Sequence, residues 1–196
     1  MNDSALWTAI HTALRDHEPH RLDVGARPQA AVLVAVLPYA GDPRVVLTVR
    51  SHVVEHHKGE ISFPGGGADP DDPDLRFTAL REAQEEVGID PAHVRVLGAL
   101  SPMITITGFH VTPFVGALDR APYRFTPNPN EVTEVLEVPL RHLIDPRNRE
   151  IREAEREGNP VRLYAYHWRE HIIWGATGRM LAGFVDLIQQ QLTNAP

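Results

Sequence analysis

Three carboxylates and an arginine fall within six residues, in the run Arg81-Glu82-Ala83-Gln84-Glu85-Glu86, downstream of the glycine run Gly65-Gly66-Gly67. On a helix, positions three and four apart share a face, so Glu82, Glu85 and Glu86 converge within an arc of about 100°. Anions that close repel one another unless a cation sits among them. A hard divalent ion that accepts oxygen ligands and keeps part of its water suits such a group. The plain alternative is a solvated acidic face, and three features argue against it. Leu75, Ala79, Leu80, Ala83 and Val87 form an apolar stripe on the neighbouring arc, so the acids border a buried face. Arg81 lies four residues before Glu85, where it can pair with and orient a carboxylate. Gly88 follows where a left-handed residue ends a helix.

A helix over roughly Leu75–Val87 must carry these groups, and other elements must hold it. The longest apolar run, Ala30 to Leu37, predicts a buried strand, which Gly41-Asp42-Pro43 turns back into Val45–Val49 as a hairpin. Further strands are expected at Val94–Leu100, His110–Leu118, Val132–Val138, Leu163–Trp168 and His171–Trp174. Asp3 or Ser4 can cap a first helix with Leu6, Trp7, Ile10, Ala13 and Leu14 on one side. A closing helix over about Ala176 to Gln190 carries Met180, Leu181, Phe184, Val185 and Ile188 as a core stripe. Gly65–Gly67 reads as a tight turn leading to the acid-bearing helix, because no Gly-Lys-Ser/Thr follows to make it a phosphate cradle. The Pro- and Asn-rich Ala121–Asn130 and the charged Arg147–Pro160 read as surface loops. Mixed strands with flanking helices give an α/β layered fold. A length of 196 residues without internal repeats predicts one domain, with a core over about 30–190 and a helix at 4–16 before it.

A formal charge of −7 argues against general nucleic-acid binding, which needs a basic surface. Cysteine is absent, which excludes a disulfide framework and thiol chemistry. Met1-Asn2-Asp3-Ser4 lacks the charged and apolar regions of a signal peptide, and no apolar run is long enough to span a bilayer. A cytoplasmic protein without a membrane partner is expected; the oligomeric state cannot be read. His52, His56 and His57 suggest zinc, but no cysteine accompanies them and the nearby glutamates suit a harder ion.

Arg81 through Ile89 resembles, at every defined position, the second half of the Nudix hydrolase signature, Arg-Glu-apolar-x-Glu-Glu-x-Gly-apolar. In the first half the usual spacing puts the early acid on Pro73; one extra loop residue aligns Asp72, six after Gly66. The resemblance implies a Nudix-type layered α-β-α fold with a mixed β-sheet, hydrolysing a nucleoside diphosphate linked to a further group with Mg²⁺ or Mn²⁺. It implies Glu82 and Glu86 as metal ligands and Glu85 as a third ligand or as the base that activates water, with Arg81 beside them. The physical reading agrees, because an acidic protein needs a cation to bridge its carboxylates to an anionic pyrophosphate.

Upstream, Leu47-Thr48-Val49-Arg50-Ser51 and His57-Lys58-Gly59-Glu60-Ile61-Ser62-Phe63-Pro64-Gly65-Gly66 look like the second signature of coenzyme A pyrophosphatases within that family. Val46 stands for its first leucine, and Glu55 for its second arginine, a charge reversal. Thr105 to Val111, Glu131-Val132, Val138-Pro139-Leu140 and Ile173 to Thr177 resemble the same group. Arg50, Lys58 (the only lysine in the chain), His57, Gly65 and Gly66 are the candidate substrate-binding residues. The resemblance implies coenzyme A as the small-molecule substrate, yielding 3′,5′-ADP and 4′-phosphopantetheine. Two alternatives stay open: a Nudix hydrolase of another nucleotide, such as ADP-ribose or a dinucleoside polyphosphate, and a nucleotide-binding module without turnover.

Overall fold

The computed structural model describes residues 3–51, 59–156 and 158–194. In chain order the elements are α1 (Asp3–Asp16), β1 (Gln29–Leu37), β2 (Arg44–Arg50), β3 (Ile61–Ser62), β4 (Gly65–Gly67) and α2 (Leu75–Val87). There follow β5 (Val94–Ala99), β6 (Met103–Ile104), β7 (His110–Leu118), β8 (Val132–Pro139) and α3 (Leu140–Ile144). β9 (Arg149–Arg156), β10 (Asn159–Trp168), β11 (His171–Ile173) and α4 (Gly175–Asn194) close the chain.

β1 is the spine of an eight-stranded mixed sheet. It runs parallel to β7 and antiparallel to β2 and β4, while β8 and β3 extend the β2 side and β5 and β6 pair with β7. The strand is apolar on both faces because both are covered. Ala30, Val34 and Val36 belong to a core with Leu6, Ile10, Leu181, Phe184 and Val185 from α1 and α4. Ala31, Leu33, Ala35 and Leu37 belong to a second core with Ala79, Ala83 and Val87 of α2. The result is the expected layered α-β-α fold with a mixed sheet. Among the described residues no helix is long and apolar enough to cross a membrane.

Most elements fall where the apolar patterning predicts them; α2 matches at both ends and α1 spans the expected first helix. The capping side chains proposed for α1, Asp3 and Ser4, lie outside what is described. Two readings are corrected. Arg149–Arg156, expected within a charged loop, is a strand paired antiparallel with β10, itself begun four residues earlier than predicted. Its Arg-Glu-Ile-Arg-Glu-Ala-Glu-Arg sequence is charged on both faces, so it shows no apolar alternation. Gly65–Gly67, expected as a turn, is a short strand whose residues pair with Val32, Ala31 and Ala30.

Candidate active site

α2 forms where its ends are specified. Asp74 is extended (φ −161°) and its carboxylate accepts the Phe77 N–H at 2.7 Å, a side-chain N-cap. At the far end Gly88 adopts φ 72°, with Gly88 N–H donating to Gln84 O and Ile89 N–H to Ala83 O. Ala79, Ala83 and Val87 are fully buried against the sheet. The acidic residues flank this stripe unequally. Glu86 is only 3% exposed. The Glu82 side chain is 17% exposed and that of Glu85 56%. The helix therefore turns Glu82 and Glu86 towards the sheet and leaves Glu85 at the rim.

β4 completes the inner wall. Gly65 has φ 154°, and a Cβ there would overlap the Ala31 carbonyl and the Val32 Cα, so only glycine allows this pairing with β1. A Cβ on Gly66 would overlap the Glu82 carboxylate. Gly65 N–H donates to Glu86 Oε2 at 3.1 Å. The two glycines thus shape the carboxylate pair, a more specific part than the substrate contact expected of them.

Arg81 ties the helix to the loop before it. Its Nε donates to Asp72 Oδ1 at 3.0 Å and its Nη2 to Asp72 Oδ2 at 2.9 Å, a bidentate clamp. The same guanidinium reaches the Gly67 carbonyl at 3.1 Å, Glu82 Oε1 at 2.8 Å and Glu85 Oε2 at 3.2 Å. Asp72 also accepts from Thr78 Oγ1 and from the Asp69 N–H, and its side chain is 5% exposed. The Arg81 hydrogen bonds hold the Asp72 carboxyl well below the usual carboxylate range. Asp72 is thus the acid of this loop that Arg81 clamps. Asp72→Asn is expected to lower kcat about tenfold or more, the usual cost of losing a partner that orients a site group. Asp69→Asn, on a side chain 67% exposed and 3.7 Å from Arg81, should change little. Steady-state kinetics on both variants checks this.

Arg50 ends β2 and enters the same space. Its Nη1 lies 3.7 Å from Glu86 Oε1, and among the described residues its buried Nε has no hydrogen-bond partner. Burial pushes Glu86 up to about 7; the Gly65 N–H and Arg50 oppose the shift, while Glu82 and Glu131 add to it. Glu82 is raised too, first by burial, against the pull of Arg81, with Glu85 and Glu131 adding.

Glu131 is the residue that spacing alone does not single out. It lies at the end of the loop before β8, 45 positions after Glu86, and appears in the sequence only within a family-like stretch. Its backbone carbonyl accepts the Ser51 N–H at 2.8 Å, which fixes it beside Arg50. Glu82, Glu86 and Glu131 are hard oxygen donors whose mutual repulsion and burial a divalent ion would relieve. As the side chains stand, no three His, Asp or Glu groups among the described residues close into a ligand shell. His57 and Lys58, together with His52, Glu55 and His56, lie outside the described residues.

Comparison with known proteins agrees with this arrangement. The NUDIX domain family matches residues 27–158. The chain is 38% identical to an uncharacterized Nudix hydrolase NudL of Pectobacterium atrosepticum over 178 residues, covering 91% of this chain and 90% of the relative. Among solved structures it resembles the Nudix hydrolase RenU of M. smegmatis, with TM-score 0.51 and 24% identity over 61% of this chain and 74% of that one. A MutT/nudix family protein from Enterococcus faecalis aligns over 96% of this chain and 74% of its own, with TM-score 0.53 and 14% identity. With a family match over most of its length, and with the acid-bearing helix, the arginine clamp and the glycine strand assembled at one site, the chain belongs to the Nudix family of pyrophosphohydrolases.

Proposed function

We propose that this chain, as a single Nudix domain, hydrolyses the pyrophosphate bond of coenzyme A or its derivatives to 3′,5′-ADP and 4′-phosphopantetheine. The observation that carries the reading is Arg50, a residue of the upstream coenzyme A-type signature, lying 3.7 Å from Glu86 of the Nudix helix with its Nε unpaired among the described residues. Family members generally use divalent ions such as Mg²⁺ or Mn²⁺, and Glu82 and Glu86 are the residues that would hold one here. The bound ion would supply charge neutralisation for the phosphoryl oxygens. Arg50 would hold phosphate oxygens with its planar fork, and Arg81 would keep Glu82 and Glu85 oriented. A water oxygen would attack one phosphorus, its proton passing to a carboxylate of the site, Glu85 or Glu131, and the bridging P–O bond would break so that the other phosphate keeps the bridging oxygen and departs still joined to its half of the substrate.

The test is a panel of coenzyme A, dephospho-coenzyme A and ADP-ribose with identified products. Coenzyme A should show at least a tenfold higher kcat/KM, a difference that needs only about 1.4 kcal/mol and lies within one charge-assisted contact. Equal values for the three would remove the coenzyme A assignment. Preference for ADP-ribose would favour the broader nucleotide reading, to which the charge reversal at Glu55 belongs. No turnover of any nucleotide with Mg²⁺ or Mn²⁺ would make the chain a binding module.

A further inference from the structure

The loop between β7 and β8 is bonded to α2 at the residues that carry the site. Thr126 N–H donates to Val87 O and Asn128 N–H to Glu86 O, each at 2.9 Å. These carbonyls belong to the last turn of α2, where intrahelical donors have run out. Asn128, between Pro127 and Pro129, then spends every remaining polar group on the next few residues. Its carbonyl accepts from Glu131 N–H at 3.0 Å and Val132 N–H at 2.8 Å, and its Oδ1 accepts from Asn130 N–H at 3.1 Å. Its Nδ2 donates to Glu131 Oε1 at 3.0 Å. The Glu131 backbone is meanwhile bound to Ser51, next to Arg50.

We infer that Asn128 is a positioning residue: its amide fixes the Glu131 carboxylate, so that this loop, bonded to helix α2 at Glu86 and to the end of strand β2 at Ser51, holds Glu131 in place beside Glu86 and Arg50 before an ion binds. The inference rests on the metal-dependent reading above. One Glu131 oxygen is committed to Asn128, and the bonds from Asn128 N–H to Glu86 O and from Ser51 N–H to Glu131 O set the residue between the end of α2 and the end of β2. No other residue type of this size satisfies the geometry. Aspartate keeps the acceptor for Asn130 N–H but sets a like charge against Glu131, and alanine frees the carboxylate to rotate.

The experiment is a double-mutant cycle on the full chain. Mn²⁺ affinity is read by electron paramagnetic resonance without substrate, with melting temperature alongside, for Asn128→Asp, Asn128→Ala, Glu131→Gln and both doubles. Each Asn128 variant is expected to weaken Mn²⁺ binding about tenfold, and each double should bind no more weakly than Glu131→Gln alone. Asn128→Asp retains the turn bond to Asn130, so it reports on the donor even if Asn128→Ala folds poorly. Wild-type Mn²⁺ affinity in Asn128→Asp, or losses that multiply in the doubles, would overturn the inference. Tight Mn²⁺ binding without nucleotide turnover would remove the proposed hydrolysis and leave the Asn128 result standing. Absence of Mn²⁺ binding by the wild type would overturn both.

Discussion

Glu86→Gln is expected to lower kcat by about a thousandfold while raising the melting temperature of the metal-free protein at pH 8. Glutamine keeps the length of the side chain and an oxygen to accept the Gly65 N–H, so the local geometry persists. What it removes is a buried anion. The folded-state value of about 7 lies above the ordinary 4.5, so the folded protein retains a proton that the unfolded chain gives up. Stability from this residue is therefore full below about pH 4.5 and declines as pH rises, with the loss complete once pH passes 7. The difference corresponds to a cost on the order of 3 kcal/mol in the absence of metal. Glutamine avoids that cost, for a gain of about 6–12 °C at pH 8 and about a quarter of that at pH 5. Thermal unfolding with chelator at the two pH values, beside kcat with Mg²⁺, reads both effects. A kcat near wild type would sink the metal-ligand assignment, and an equal stability change at pH 5 and 8 would show that ionisation of Glu86 is not the cause. Glu82→Gln should lose activity similarly, and chelator followed by Mg²⁺ should abolish and restore wild-type turnover.

That coupling of a stability gain to a loss of function follows from how the site is built. The helix places Glu82 and Glu86 four residues apart beside its buried stripe, and this much is legible in the chain because a 3.6-residue period and the stop at Gly88 specify it locally. The spine strand β1 is legible for a similar reason, since burial on both faces makes it a continuous apolar run. Elements whose identity depends on distant partners are not. β4 is three glycines with no side chains to alternate, and it is a strand only because β1 and the Glu86 carboxylate accept its backbone. β9 carries charge on both faces and is recognised by its pairing with β10. Glu131 reaches the site through a loop tied to the end of α2, contacts that no local pattern encodes. Asp72 stands one residue off the usual spacing, and its two-pronged bond to Arg81 is a contact that spacing does not show.

Arg50→Ala should cut kcat/KM by about a hundredfold with a much smaller effect on folding. The competing view is that Arg50 pairs with an acid and acts through stability. Among the described residues the acid beside it is Glu86, at 3.7 Å, a separation that gives charge proximity without a hydrogen bond. A guanidinium tightly bound to a carboxylate would have its donors occupied; here the buried Nε has no partner among the described residues. An unmade buried hydrogen bond is costly, and two phosphate oxygens would satisfy the fork together. Arg50 also lowers the expense of ionising Glu86, so its removal should destabilise the metal-free protein slightly at pH 8, by about 1 kcal/mol or less. Arg50→Lys keeps the charge but loses the planar pair of donors, and should recover that stability while restoring only part of kcat/KM. Lys58→Ala, which removes a hydrated point charge, is expected to cost less than Arg50→Ala. Measuring kcat/KM and thermal unfolding for the three variants separates the two roles. If Arg50→Ala unfolds readily but its folded fraction turns over substrate at the wild-type rate, the Arg50–Glu86 contact is structural, and the phosphate must be held by another cation.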